Sequence, residues 1–206
     1  MHRGVFAGLV ALSLVSPLAA RAPQAPAGGP NTWSIDSGHS AARFSVKHMM
    51  VSTVRGTLGK VTGTIEYDGK AVESIKADVT IDASGVDTDN DNRDKDLKSE
   101  NFFDIAKYPT VRFTSKRVQP VGQGKFKMVG DLTMHGVTKE VTLDVEGPSP
   151  ALKQGPNLRV GASATATINR RDWGLQYNRM IEAAPIVGDD IQIQIDVEAT
   201  KRGSTE

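Results

Sequence analysis

Ile191, Ile193, Ile195, Val197 and Ala199 alternate without a break with Gln192, Gln194, Asp196 and Glu198. Successive side chains on a β-strand point to opposite faces, so this stretch has one face to bury and one to wet. The same two-residue period recurs through most of the chain. Phe44 and Val46 alternate with Ser45 and Lys47, a parity that also points His48 inward. Val61, Gly63, Ile65 and Tyr67 alternate with Thr62, Thr64 and Glu66, and Asp68-Gly69 then supplies a turn. Ile75, Ala77, Val79 and Ile81 oppose Lys76, Asp78 and Thr80. Val111 and Phe113 begin another run, followed by Phe126, Met128, Gly130, Leu132 and Met134. His135-Gly136 turns the chain into Val141, Leu143 and Val145, and Val160, Ala162, Ala164, Ala166 and Ile168 form a further apolar face. The expected fold class is all-β: an antiparallel sheet wrapped around an apolar interior. About eight strands close into a barrel, which removes the edges that an open sheet would expose.

Gly63, Ala77, Ala162, Ala164 and Ala166 are small residues on apolar faces, and aromatics are only 5% of the chain. Two readings follow. The interior is hollow and holds one small ligand, or the small residues mark places where the barrel pinches or a helix packs closely. The alternation breaks between Asp87 and Phe103. Acids at the start and lysines at the end of that segment suit a helix dipole and predict a short helix from about Asn90 to Lys98. Phe102, Phe103 and Tyr108 follow it, placed to cover one mouth of the barrel.

The chain has 206 residues, enough for one domain with a sizeable core. His2 and Arg3 precede an apolar run from Val5 to Leu18, and Ala19, Ala20 and Ala22 follow. That is the order of an export signal, and the run is short for a span of about 20 residues. The expected organisation is a signal peptide over 1–20, cleaved near Ala20 or Ala22, a Pro/Ala/Gly tether over 21–31 and a barrel domain over 32–206. There is no cysteine, so neither a disulfide nor a cysteine-linked lipid is available, and an exported chain of this kind depends on its core. The expected location is the periplasm, with secretion as the second reading.

A formal net charge of +1 gives no electrostatic case for nucleic acid or for an anionic membrane surface. Nucleophilic catalysis lacks its parts, since there is no cysteine and no Gly-x-Ser-x-Gly elbow. His39, His48 and His135 show no metal-ligand spacing. Asp87, Asp89 and Asp91 resemble the start of a calcium loop, but Asn92 stands where the loop needs glycine and Lys98 where it needs glutamate. No metal is expected. Arg170 and Asp172 continue the inward parity of Ile168 unless a bulge intervenes. A buried charge needs a partner, either the other member of this pair or a ligand head group.

Four stretches together carry a resemblance. They are Phe44-Ser-Val-Lys-His-Met-Met-Val-Ser-Thr-Val-Arg-Gly56, Asp96-Leu-Lys-Ser-Glu-Asn-Phe-Phe-Asp-Ile-Ala-Lys-Tyr-Pro109, Gly130-Asp-Leu-Thr-Met-His-Gly136 and Ile168-Asn-Arg-Arg-Asp-Trp-Gly174. In this order and spacing the chain resembles the YceI-like family of bacterial exported proteins from Trp33 to Lys201. The resemblance implies a lipocalin-like antiparallel barrel, with the short helix over one mouth and a long apolar channel. It implies that the channel binds, stores or transports a polyisoprenoid or a similar amphiphile, with no catalytic centre and no cofactor beyond that ligand. The family commonly has phenylalanine or tyrosine where Trp173 stands. Isoprenoid quinones, isoprenyl phosphates and fatty-acid derivatives all suit such a tube.

Parity and resemblance together assign ligand contact to Phe44, Val46, His48, Ile65, Val79, Phe102, Phe103, Phe113, Phe126, Met128, Leu132, Leu143, Ala164, Arg170, Asp172 and Trp173. The expected partner is a long-chain isoprenoid or lipid, and transient membrane contact and a homodimer are both compatible with the chain. Two other classes remain. A lipid-acting enzyme would need an acid–base pair, for which His48 with Asp172 is the nominee. An interaction module for a membrane respiratory partner would use the Pro-rich loop Gly147–Pro156.

Overall fold

Each alternating run finds a neighbour with the same need to bury one face. The computed structural model describes residues 29–177, 180–181 and 184–203, so the expected signal peptide and most of the tether lie outside the described residues. The strands are β1 (Thr32–Ile35), β2 (Ala41–His48), β3 (Ser52–Thr57), β4 (Val61–Glu66), β5 (Lys76–Asp82), β6 (Thr110–Gly122) and β7 (Lys125–Met134). Next come β8 (Val137–Glu146), β9 (Leu152–Gln154), β10 (Asn157–Asn169), β11 (Met180–Ile181), β12 (Ala184–Pro185) and β13 (Val187–Arg202). From β13 the ladder passes through β1, β4, β5, β6, β7, β8 and β10 and returns to β13. That circuit is a closed eight-stranded antiparallel barrel.

The 16-residue β13 serves two partners on one edge. Ile191–Asp196 face β2 from Val46 to Ala41, whereas Ala199 and Thr200 face Ile35 and Ser34 of β1. The β2–β3 hairpin therefore prolongs the wall past the reach of β1. A Thr57–Asp87 bridge ties its far edge to the loop that precedes the helix.

Turns form where local chemistry allows them. His135 and Gly136 both adopt left-handed backbone, at φ 50° and 74°, as a tight hairpin between twisted strands requires. At Asp68-Gly69 the Asp68 carboxylate accepts from the N–H groups of Lys70 and Ala71 at 2.8 and 3.0 Å. The one α-helix among the described residues, α1 (Asp91–Lys98), starts one residue after Asn90 because Asn90 is its cap, with Oδ1 accepting from the Arg93 N–H at 3.0 Å. Outward-facing charges pair across strands. Arg112 grips Asp78 with Nε and Nη2 at 2.9 and 2.7 Å, and Lys116 meets Asp131 at 2.6 Å. Exposed pairs of this kind add at most about 1 kcal/mol each, so the inward faces carry the stability.

Gly63 is small for a reason other than hollowing the interior. Its φ is +139°, and a Cβ there would lie 2.1 Å from the Asp78 carbonyl oxygen. β4 needs glycine to approach β5. Ala77, Ala162, Ala164 and Ala166 do face the barrel interior.

Candidate functional site

The inward faces enclose a cavity of about 220 Å³ whose wall is almost entirely carbon. One end is lined by Trp33, Tyr67, Ile75, Phe126, Val145 and Val160, and the other by Leu97, Phe102, Phe103, Leu175 and Val187. Val160 and Ile168, near opposite ends of β10, are separated by about 27 Å of strand at the usual rise. The space is thus a tube rather than a pit. Ala162, Ala164 and Ala166 on β10 stand opposite larger side chains and keep its middle open.

Few polar atoms reach this lining. The Trp33 indole N–H donates to the Tyr67 carbonyl at 3.1 Å. The Tyr67 hydroxyl, by contrast, has no protein hydrogen-bond partner among the described residues. Partial burial, helped by the neighbouring Asp68 charge, pushes its pKa up, so it stays a neutral donor.

At the helix end, Arg170 is 2% exposed, and burial pulls its pKa down against the opposing pull of Asp189. Its five N–H donors all have protein acceptors. Nε donates to Gly188 O at 3.0 Å, Nη1 to Leu175 O and to Tyr177 O at 3.0 Å, and Nη2 to Val187 O at 3.4 Å and Asp189 Oδ1 at 3.0 Å. A guanidinium has five such donors, so none is left over for a ligand. Arg170 clamps the segment after the Arg170–Trp173 turn against the start of β13. That clamp positions Leu175 and Val187 at the tube's end.

Among the sequence-derived candidates, Phe44, Val46, Ile65, Val79, Phe113, Phe126, Met128, Leu132, Leu143 and Ala164 all line the tube. Phe102 and Phe103 line its helix end with Leu97, and Phe102 stacks edge-on against Tyr177 at 5.2 Å between ring centroids. Four placements differ from expectation. His48 is half-buried and off the lining, because β2 has run past the barrel to pair His48 with Val187, the first residue of β13. Asp172 is exposed, because the chain leaves β10 at Asn169 for a 3₁₀ turn that ends the two-residue parity. Arg170 therefore pairs with Asp189 instead of Asp172. Trp173 is buried behind the wall, its indole N–H donating to Leu132 O at 3.0 Å, and does not line the cavity. Tyr108 likewise stacks on His135, 4.8 Å between centroids, off the lining.

Sequence reasoning left out several lining residues. Tyr67 and Ile191 share the parity of strands already recognised, and Leu97 is the lone apolar side chain of a polar helix, so their signals were present. Leu175 and Val187 come from irregular chain ends held by Arg170, and no periodicity marks them. The nominated pair His48 and Asp172 are both absent from the tube. The Gly147–Pro156 loop folds back on β10, where Ser149 Oγ accepts from the Gly161 N–H at 3.0 Å.

Asp36, His39 and Glu198 also converge on the barrel exterior. Arg159 already bonds both carboxylates there, so the cluster's charge is neutralised from within the protein. His39, Arg159 and the Gly38 N–H hold the Asp36 carboxyl below the usual carboxylate range.

Comparison with known proteins gives a consistent pattern. The sequence signature of the YceI-like domain matches residues 33–199. A UPF0312 protein of Staphylococcus aureus strain MSSA476 is 34% identical over 169 residues, covering 81% of this chain and 95% of that protein. The YceI protein of Campylobacter jejuni superposes with a TM-score of 0.66 at 33% identity, covering 76% of this chain and 90% of that one. The polyisoprenoid-binding domain of Saccharophagus degradans, implicated in plant cell wall breakdown, shares the fold with a TM-score of 0.60 at 18% identity, covering 81% and 97%.

Proposed function

This chain belongs to the YceI-like family, and on that premise we propose that its tube binds a long-chain isoprenoid or a comparable amphiphile and carries or stores it without chemical change. The observation that carries this reading is a channel along the barrel whose wall is almost entirely carbon. A wall of that kind discriminates by length and girth of an apolar chain, not by polar pattern. The Saccharophagus degradans barrel, described as polyisoprenoid-binding, supports the choice of ligand class. The apolar run from Val5 to Leu18, preceded by His2 and Arg3 and followed by Ala19, Ala20 and Ala22, supports a periplasmic site of action.

Energetics favour a carrier over a sink. Each methylene removed from water contributes about 0.8 kcal/mol, so a long tail gains well over 10 kcal/mol relative to free solution. A bilayer shields the same tail equally well. Exchange between membrane and tube is therefore close to balanced, which permits loading and delivery alike.

The test is native purification from an exporting host, solvent extraction and mass spectrometry of what is released. A long-chain isoprenoid or lipid at near one per protein is expected. An empty protein that also fails to take up a solubilised isoprenoid quinone or fatty acid would overturn the reading.

A further inference from the structure

We propose that the tip of the β2–β3 hairpin, Met49-Met50-Val51, is a membrane-docking element that seats the helix end of the tube on an anionic lipid surface. The proposal rests on the carrier reading above, since a tube filled from a bilayer needs a way to stand on one.

Three consecutive apolar side chains are exposed at this tip: Met49 by 39%, Met50 by 63% and Val51 by 85%. Among the described residues the other large exposed apolar side chains, Val121 and Leu152, are single and lie in separate elements. A contiguous exposed run marks an interaction surface where scattered single residues do not. Met49 and Met50 both hold left-handed backbone, φ 51° and 56°, a conformation that tight hairpins normally assign to glycine or asparagine. A turn with no other role would be cheaper with those residues, and here it presents two thioether side chains to solvent.

Position and charge identify the occupant. Met49 N–H donates to Ile186 O at 2.8 Å, which ties the tip to the strand start whose Val187 lines the tube. The stretch from Ser37 to Lys60 carries no acid, and although Arg43, at the end of the hairpin away from the tip, is paired with Asp196, Lys47 and Arg55 lie nearer the tip. Lys47 and Arg55 are exposed and have no ion pair among the described residues. Lys47 is the last residue but one of β2, just behind the apolar turn. Interfacial elements bury apolar groups by about 5–10 Å and leave their cations at headgroup height, an order that an apolar tip followed by Lys47 reproduces.

The chain's lack of cysteine allows one thiol to be placed and labelled without ambiguity. Val51→Cys carrying an environment-sensitive fluorophore should brighten on vesicles of phosphatidylglycerol with phosphatidylcholine, and much less on phosphatidylcholine alone. Val121→Cys with the same label should stay dark, which separates tip docking from attachment through any other part of the chain. Met50→Asn with Val51→Ser should lower vesicle affinity by about tenfold or more, given the apolar area removed. The same double variant should slow uptake of a fluorescent isoprenoid from vesicles while its affinity for that ligand in solution and its melting temperature stay unchanged. A label response at both sites or at neither overturns the proposal. So does a Val51 response that tracks protein concentration instead of lipid, which would make the tip a self-association surface. An empty tube alongside vesicle-dependent brightening at Val51 would remove the carrier reading and leave docking standing.

Discussion

Arg170→Met tests whether the buried cation is a clamp or a head-group receptor. The side chain is 2% exposed and donates to four backbone carbonyls and the Asp189 carboxylate. At about 1 kcal/mol net per hydrogen bond, its loss forfeits about 5 kcal/mol. Methionine refills much of the volume and spares the cost of burying a charge, which offsets about 1–2 kcal/mol. The expected net loss is about 3–4 kcal/mol, a large share of the stability of an ordinary domain. Arg170→Lys keeps the charge with three donors in place of five and should lose about 1–2 kcal/mol. Urea denaturation followed by far-ultraviolet circular dichroism measures both, and amide exchange at Leu175 and Gly188 should accelerate in the methionine variant. The reasoning is refuted if Arg170→Met stays within about 1 kcal/mol of the parent with unchanged exchange. It is equally refuted if that variant loses affinity for a head-group-bearing ligand alone while stability holds, because Arg170 would then be a receptor.

Ala164→Trp should block ligand uptake in a fluorescence titration while lowering stability by less than about 2 kcal/mol, because it grows into an existing cavity. Gly63→Leu should instead lower stability by about 3 kcal/mol or more in urea, since the added Cβ meets the Asp78 carbonyl at a positive φ. Phe103→Ala should speed ligand release in stopped-flow displacement more than it lowers the melting temperature, whereas Phe102→Ala, at a buried position, should cost about 3 kcal/mol of stability. The Arg112 hydrogen bonds hold the Asp78 carboxyl below its usual range, so this pair stabilises the fold above about pH 4 and ceases to as pH falls through the lowered folded value. Asp78→Asn should therefore narrow the gap between urea midpoints at pH 7 and pH 3, and only modestly, as the pair is exposed.

Parity was legible in the sequence because it is a property of the strand itself. Phe44 and Val46, Phe126 and Met128, and Leu143 point into the tube for the same reason that their neighbours Ser45, Lys127 and Asp144 point out: the pleat reverses the side chain at every residue. The His135-Gly136 turn and the Asn90 cap were equally local, each set by a side chain's fit to one backbone conformation. Tertiary structure decided where parity stops mattering. His48 has the right parity, yet it stands where β2 outlasts the barrel wall, and that depends on which part of β13 each partner occupies. Arg170 and Asp172 share a parity in sequence, but a 3₁₀ turn buries the first and exposes the second. Arg170's acceptors come from Leu175 through Asp189, and no periodic rule announces that one side chain will tie together two irregular ends. Strand faces follow from the geometry of neighbouring residues, whereas strand ends, closure and the partners of a buried charge follow from hydrogen bonds between segments that meet only once the barrel has closed.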